Sequence, residues 1–578
     1  MSGTMRGGAA GARALQWRLL LIPLAALFVV HPLMVHGCSC GHDFDFHLLS
    51  WFEAATQIAH GNLHPHWAFT AAFNAGEPRF VFYPPISWYL GAGLGMGMTH
   101  LPGVSEAAGW SAAPVVFTWI ALALAGLTMY RLAREFASEG AALVGAVLYV
   151  ANPYMLFTAF ERTAYAELLA AAWIPLLLLA VLRERVTVAG IAAPLALLWL
   201  TNVPAAIMGT YALALLGAVR LAGEARARWL RSAATVVGGT GLGLALAGFY
   251  LVPAVYERRL VQMSMATIAG MRIDQNFLFE HTGATADQMS HDAVLHTASV
   301  IAVLLLGATA IALGAVAARR TRRSFPILPL TILTAAIAFL LTPWSAFVWK
   351  HAPEAALLQF PWRLLAVLAP VLALAIAGLF SSDSLGAPFV AARWMGGNGL
   401  TARLVALAAL AGLTLTAYHL FRQPCDPEDT APARLALFHS NAGTDPTDEY
   451  TPVGADNDAL SPGDPRYWIA ASPGAPPPAA ATPGLAPTHI TLTASRAENL
   501  ILNLRDYPAW RIMRNAVSVA PSEYEGRADG LIAIALPVGT NIIDIGYAHT
   551  LDQRVGDAVS AIALALLLVT LRRSSRRR

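Results

Sequence analysis

Asp43, Asp45 and His47 alternate along Gly41–His47, GHDFDFH, with His42 beside them and Glu53 further on. Carboxylates two residues apart converge in an extended segment, whereas Asp43 and His47 converge if a helix has begun, being four apart. Either geometry suits two kinds of chemistry. Asp43 and Asp45 would ligate a hard divalent cation such as Mg or Mn through oxygen, and imidazole tolerates softer metals. One of Asp43, Asp45 or His47 would instead act as a catalytic general base. The plainer alternative is a solvated loop whose acids cap a helix over Phe46–His60.

A second group of residues could bind phosphate. Arg79 lies two after Glu77, Arg162 follows Glu161, Arg258 and Arg259 follow Glu257, and Arg363 ends Gln359-Phe360-Pro361-Trp362-Arg363. Arginine grips phosphate through a planar fork of donors. Glu77, Arg79, Arg162, Arg258 and Arg363 are therefore the candidates for holding a substrate or a lipid phosphate. The competing use is snorkelling to headgroups or pairing with the adjacent glutamate, which is the favoured reading for Arg258 and Arg259. Arg363 stands apart, because Phe-Pro-Trp fixes the backbone just where the chain enters an apolar run. His281, His291 and His296 lack zinc-ligand spacing.

These residues are embedded in an apolar chain. It is 56% hydrophobic and 13% charged, with a mean hydropathy of +0.54, far from an ordinary soluble domain. Apolar runs long enough to cross a bilayer recur at about 19–35, 110–130, 139–157, 165–182, 186–201, 203–220, 232–255, 293–318, 326–345, 364–380, 402–421 and 555–571. A polytopic α-helical membrane protein of about twelve spans follows. Pro84–Leu101, PPISWYLGAGLGMGMTHL, is a further apolar segment whose status the arginines decide. If it does not cross, the basic loops and the tail share one side with Arg6, Arg13 and Arg18, as cytoplasmic loops should. It is expected to be re-entrant or interfacial at the outer face, with Trp88 and Tyr89 at headgroup depth. Both termini are then cytoplasmic.

The remaining segments, 37–109, about 158–164, 256–292, 346–362 and 422–554, fall outside. Residues 1–421 form the membrane domain with its outer loop 37–109, and 422–487 form a proline-rich connector. Within it Ser472–Pro487, SPGAPPPAAATPGLAP, is too rich in proline to pack as a helix. Residues 488–554 carry strand patterns at 489–494, 499–504, 511–520, 531–537 and 541–547, predicting a small antiparallel β-sandwich. Residues 555–578 make the final span and a basic tail. The three cysteines suggest no disulfide framework: Cys38 and Cys40 are too close to bridge without strain, and Cys425 is distant.

GHDFDFHLLSWFEAA, GEPRFVFYPPISWYL and LQFPWRLL resemble bacterial membrane proteins labelled "6-pyruvoyl-tetrahydropterin synthase-related", and more widely the GT-C integral-membrane glycosyltransferases. Nothing in the residues suggests pterin chemistry. DYPAWRIMRNA…GRADGLIAIALPVGTNIIDIGYA is similar to the extracytoplasmic β-domain of related polytopic proteins. The resemblance implies a GT-C-like fold in the bacterial inner membrane and a polyprenyl-phosphate-linked sugar donor. It also implies an extracytoplasmic glycan or protein acceptor, in cell-envelope glycan assembly. Asp43 and Asp45 would supply the base or metal ligands, with His47 near them, and Arg363 would face the lipid phosphate. Membrane lipids are expected partners and nucleic acid is not. The competing classes are a transporter or flippase for lipid-linked glycans, and a non-catalytic assembly protein.

Overall fold

The computed structural model describes residues 18–319, 325–381, 399–478 and 482–575. Eight of its helices are long and apolar enough to cross a bilayer, from Glu106–Phe136 to Leu551–Arg572. Two further pairs, Arg226–Leu246 with Gly248–Leu260 and Ile327–Leu340 with Pro343–His351, meet the same test but bend by 76° and 96°. Leu21–His36 and Val188–Trp199 are shorter apolar helices. Every apolar run expected to span thus becomes a helix, a bent pair or a short apolar helix. The chain is a multi-pass membrane protein.

Small residues let these helices approach closely, as membrane packing favours. A Cβ on Gly126 would lie 2.5 Å from Ile22 and 2.7 Å from Val150, so glycine is what allows Glu106–Phe136 to touch both neighbours. Pro85–Thr99 forms a 15-residue helix. At 1.5 Å per residue it is about 22 Å long, short of the roughly 30 Å hydrocarbon core. Trp88 does not face headgroups: it is buried, and its indole N–H donates to the Tyr83 carbonyl at 3.2 Å. Tyr89 is exposed and donates to Leu63 O.

The β-domain is a sandwich of two antiparallel sheets. Its strands are β1 (Tyr467–Ala470), β2 (His489–Ala494), β3 (Glu498–Arg505), β4 (Trp510–Arg514), β5 (Val517–Val519), β6 (Leu531–Leu536) and β7 (Gly539–Tyr547). The orders are β1-β3-β6 and β2-β7-β4-β5. The expected strand at 511–520 is a hairpin. Its two loop residues, Asn515 and Ala516, both have φ > 0, the backbone of a tight two-residue turn whose twist suits the strands. Strand β1 comes from the connector, so the sandwich begins before the proline-rich stretch. The connector also forms a helix, Ala431–His439, which packs on the outer loop through Phe438 against Phe52.

The cysteine reading is corrected here. Cys40 and Cys425 form a disulfide across 385 residues, with Cα atoms 4.9 Å apart. Proximity in sequence was the wrong guide, because the ends of Leu21–His36 and Gly399–Phe421 come together in space. Cys40 N–H donates to Gln423 O at 3.1 Å. Cys38 stays free.

Candidate active site

Gly41 determines the local path of the chain. A Cβ there would lie 2.0 Å from the Glu161 carbonyl oxygen, so only glycine lets 41–43 run against 161–162. Asp43 N–H then donates to Arg162 O at 2.9 Å. The helix Phe44–Ala59 starts at the next residue, with Asp43 in the N-cap position, yet the Asp43 side chain makes no capping hydrogen bond. Its carboxylate is 41% exposed and lies 3.7 Å from the buried Arg162 guanidinium. Capping therefore does not account for this acid.

Arg162 lies in the turn between Pro153–Phe160 and Tyr165–Ala170. The next residue, Thr163, has φ of +47°, which is rare for a β-branched side chain and costs about 1–3 kcal/mol. The Thr163 hydroxyl donates to Arg162 O at 2.8 Å, the carbonyl that also accepts from Asp43. Beyond the turn, Glu167 accepts from Arg162 at 2.7 Å and from the Tyr154 hydroxyl at 2.5 Å. Burial alone would lower the pKa of Arg162, but Glu167, Asp43 and Tyr154 outweigh it and raise it.

Arg363 reaches the same carboxylate from the far end of the chain. Its Nε lies 3.4 Å from Glu167 but forms no hydrogen bond. One terminal nitrogen donates to Leu358 O at 3.0 Å and to Gln359 Oε1 at 3.2 Å. Gln359 has φ of +60°, so each arginine sits close to a left-handed residue. The Arg162 guanidinium stacks 5.1 Å from the Trp362 ring. Two buried guanidiniums thus share one buried carboxylate, with half-exposed Asp43 beside them.

His47 is buried one turn after Asp43. Its ring is packed against Tyr165 and Tyr83, at centroid distances of 5.3 and 5.8 Å. The Tyr83 hydroxyl is within 3.5 Å of Nε2. Burial lowers the His47 pKa to about 4, against the pull of Asp43, so the imidazole is neutral at pH 7. Burial raises the Tyr83 hydroxyl well above its ordinary value, and Asp43 adds to this.

The other candidates lie elsewhere. Asp45 pairs with Arg434, which also holds Asp429 at 2.5 Å. This ties Phe44–Ala59 to the connector helix. Burial raises the Asp45 pKa to about 6, with Arg434 opposing. Glu77 and Arg79 are buried against each other, at 2.8 Å. Arg79 also donates to Ser50 and Thr447, both at 3.2 Å, and Glu77 accepts from Thr447 N–H at 2.9 Å. Every polar end of that pair is occupied by protein. Arg258 is half-exposed and pairs with Glu354 at 2.9 Å.

Asp43 and Asp45 engage different arginines, Arg162 and Arg434. Among the described residues no group of three or more His, Cys, Asp or Glu is arranged to hold a metal ion. Glu167 and Tyr154 were missed in the sequence. A carboxylate inside the apolar run 165–182 is the signal that would have found Glu167, since an ionisable residue within a span needs a named partner.

No family model matches the chain, and no curated protein does. Among solved structures, the chain is similar to the arabinofuranosyltransferase AftD from Mycobacteria, an Arg-to-Ser mutant. That match has 15% identity and a TM-score of 0.42, and covers 71% of this chain and 28% of the other. The apo oligosaccharyltransferase of Archaeoglobus fulgidus aligns at 16% identity and a TM-score of 0.45, covering 71% and 57%. The archaeal oligosaccharyltransferase AglB from Archaeoglobus fulgidus, in complex with an inhibitory peptide and a dolichol-phosphate, aligns at 16% and 0.44, covering 72% and 57%. The chain spans between about a quarter and three-fifths of the length of these proteins.

Proposed function

We propose that this protein is a GT-C-type membrane glycosyltransferase, moving a sugar from a polyprenyl-phosphate-linked donor to an extracytoplasmic acceptor in cell-envelope glycan assembly. One observation carries the reading. The three stretches that resemble such enzymes are far apart in sequence, yet they meet: Asp43 and His47 from the first, Tyr83 from the second, and Arg363 from the third. Arg162 and Glu167 join them.

In this reading Asp43 accepts the proton of the acceptor hydroxyl. The hydroxyl oxygen bonds to the anomeric carbon as the bond from that carbon to the phosphate oxygen breaks, and the departing phosphate keeps the electron pair. Arg363 and Arg162 face the developing charge, where fixed donors in a dry site act most strongly. Glu167 is the one buried carboxylate the two arginines share, so their charge is only partly neutralised. His47 and Tyr83 pack behind Asp43 and fix its helix. The face is the outer side of the bacterial cytoplasmic membrane, with both termini in the cytoplasm. Arginine placement supports this, as does a disulfide, which persists in an oxidising compartment.

The test is turnover of a polyprenyl-phosphate sugar by purified, reconstituted Asp43→Asn, beside its thermal stability. Loss of a positioned base slows reaction about 100- to 10,000-fold, with donor still bound and the melting temperature kept. Full turnover by that variant would exclude the catalytic role and leave a transporter or assembly protein.

A further inference from the structure

The bent pair Ile327–Leu340 and Pro343–His351 carries two large aromatics left exposed among the described residues. Trp344 is 83% exposed and Phe347 62% exposed. They are three residues apart, on one side of the short helix Ala346–His351 and the turn before it. Exposed Lys350 and His351 follow, and Lys350 is the only lysine in the chain.

The bend is built into the sequence. Helix Ile327–Leu340 must end before Pro343, leaving carbonyls without partners. The Trp349 indole donates to Leu340 O and to the Ser345 hydroxyl, both at 3.0 Å. The Ser345 hydroxyl in turn donates to Leu340 O at 3.0 Å and Thr342 O at 2.7 Å. The turn is thus fixed by its own side chains, and the 96° angle lays the second helix close to parallel with the bilayer when the first crosses it. Phe347 continues the exposed face of the span, its ring 6.3 Å from that of half-exposed Phe339.

The segment lies on the β-domain side. Leu278 N–H donates to Leu341 O, Gln359 Nε2 donates to Ala266 O, and Val261 bridges to Pro452 of the connector. From this we propose that residues 343–359 form a strap seated in the lipid interface of the leaflet on the β-domain's side. Trp344 and Phe347 enter the headgroup–acyl boundary, where aromatic rings concentrate, and Lys350 reaches up to lipid phosphate. The other end of the strap, Gln359, accepts from Arg363. The bilayer therefore registers the strap whose far end orients this guanidinium. Bilayer, not a second protein, is the occupant because the apolar edge is continuous with a lipid-facing span and ends in a cation.

The experiment places a nitroxide at Trp344→Cys, at Phe347→Cys and at Ser518→Cys, an exposed position on β5. Each is made in a Cys38→Ser background, in the full-length protein, in vesicles of phosphatidylethanolamine and phosphatidylglycerol. At 344 and 347, dissolved oxygen should relax the label several-fold more effectively, relative to a water-soluble nickel chelate, than at 518. Nickel access at both positions equal to that at 518 would overturn the proposal. Labels shielded from both reagents would overturn it too, by showing that protein covers the edge.

Discussion

Two buried arginine–carboxylate clusters in this molecule have the same residue types and different stoichiometry. In the outer loop, Arg79 meets Glu77, and the nitrogens left over reach Ser50 and Thr447. At the membrane edge, Arg162 and Arg363 share Glu167, and half-exposed Asp43 lies beside them. The first pair is saturated and joins the outer loop to the connector. The second holds more cation than its one buried anion can satisfy. On the proposed function, donors in excess beside an accessible carboxylate are the place for an anionic ligand, and a balanced pair is a joint. Residue identity could not separate the two, since Arg79 and Arg162 each lie within two residues of a glutamate in sequence.

The largest effect expected is at the balanced pair. Arg79→Ala leaves Glu77 buried without its cation and should lower stability by about 3–5 kcal/mol, measured by thermal or denaturant unfolding in detergent. A stable, dead Arg79→Ala protein would break the comparison, because it would put the joint in the active site.

Arg363→Lys sharpens the other side. It keeps the charge and loses the bidentate fork. Loss of charge-assisted hydrogen bonds worth about 1.5–3 kcal/mol should weaken binding of a polyprenyl phosphate about ten- to a hundredfold at nearly unchanged melting temperature. Titration of the reconstituted variant with the lipid checks it, and undiminished affinity would leave the excess cation without a ligand.

Acid should act on the docked regions through histidine. His66 is buried between His64 and His549, with ring centroids at 4.3 and 5.0 Å. Burial, reinforced by these neighbours, lowers its pKa to about 3, and burial lowers that of His47 to about 4. The ordinary value is 6.5. The unfolded chain therefore takes up protons first. Stability is complete above pH 6.5 and falls as pH drops towards 4 and 3. Melting temperature measured across that window should decline, and more gently in His66→Phe. A flat profile in the parent protein would contradict the buried neutral state.

The smallest effect belongs to the exposed pair. Arg258→Ala should change stability by less than about 1 kcal/mol and leave turnover intact, in a side-by-side melt and assay. A large loss of turnover would move lipid-phosphate recognition from Arg363 to Arg258.

Much of the membrane fold was legible because apolar runs report on their own local environment. Strands β2 and β7 were legible for the same reason through their alternation, and β3 and β6 through short apolar runs between turn residues. Arg363 was singled out from the constraint of Phe-Pro-Trp, and it lies beside Glu167. What escaped depends on distant partners. Glu167 matters through Arg363, Asp45 through Arg434, Cys40 through Cys425, and β1 is a strand by pairing with β3. Trp88 was expected exposed and is buried for a related reason: tryptophan suits both a headgroup belt and a buried site with a carbonyl to receive its N–H, and Tyr83 O supplies the second.

The Cys40–Cys425 link also dictates an order of assembly. Cys40 leaves the ribosome early, and until its partner arrives the nearest thiol is Cys38, one residue away and unable to bridge easily. The bond closes only after the chain between them, a separation of 385 residues, has been made and threaded, with every span but the first and the last in it. The connector helix that carries Arg434 follows within a few residues, so Asp45 receives its counter-ion at the same moment. The outer loop therefore waits on the end of synthesis. A chain arrested or truncated before the connector would display an unclasped loop and a free thiol at Cys40.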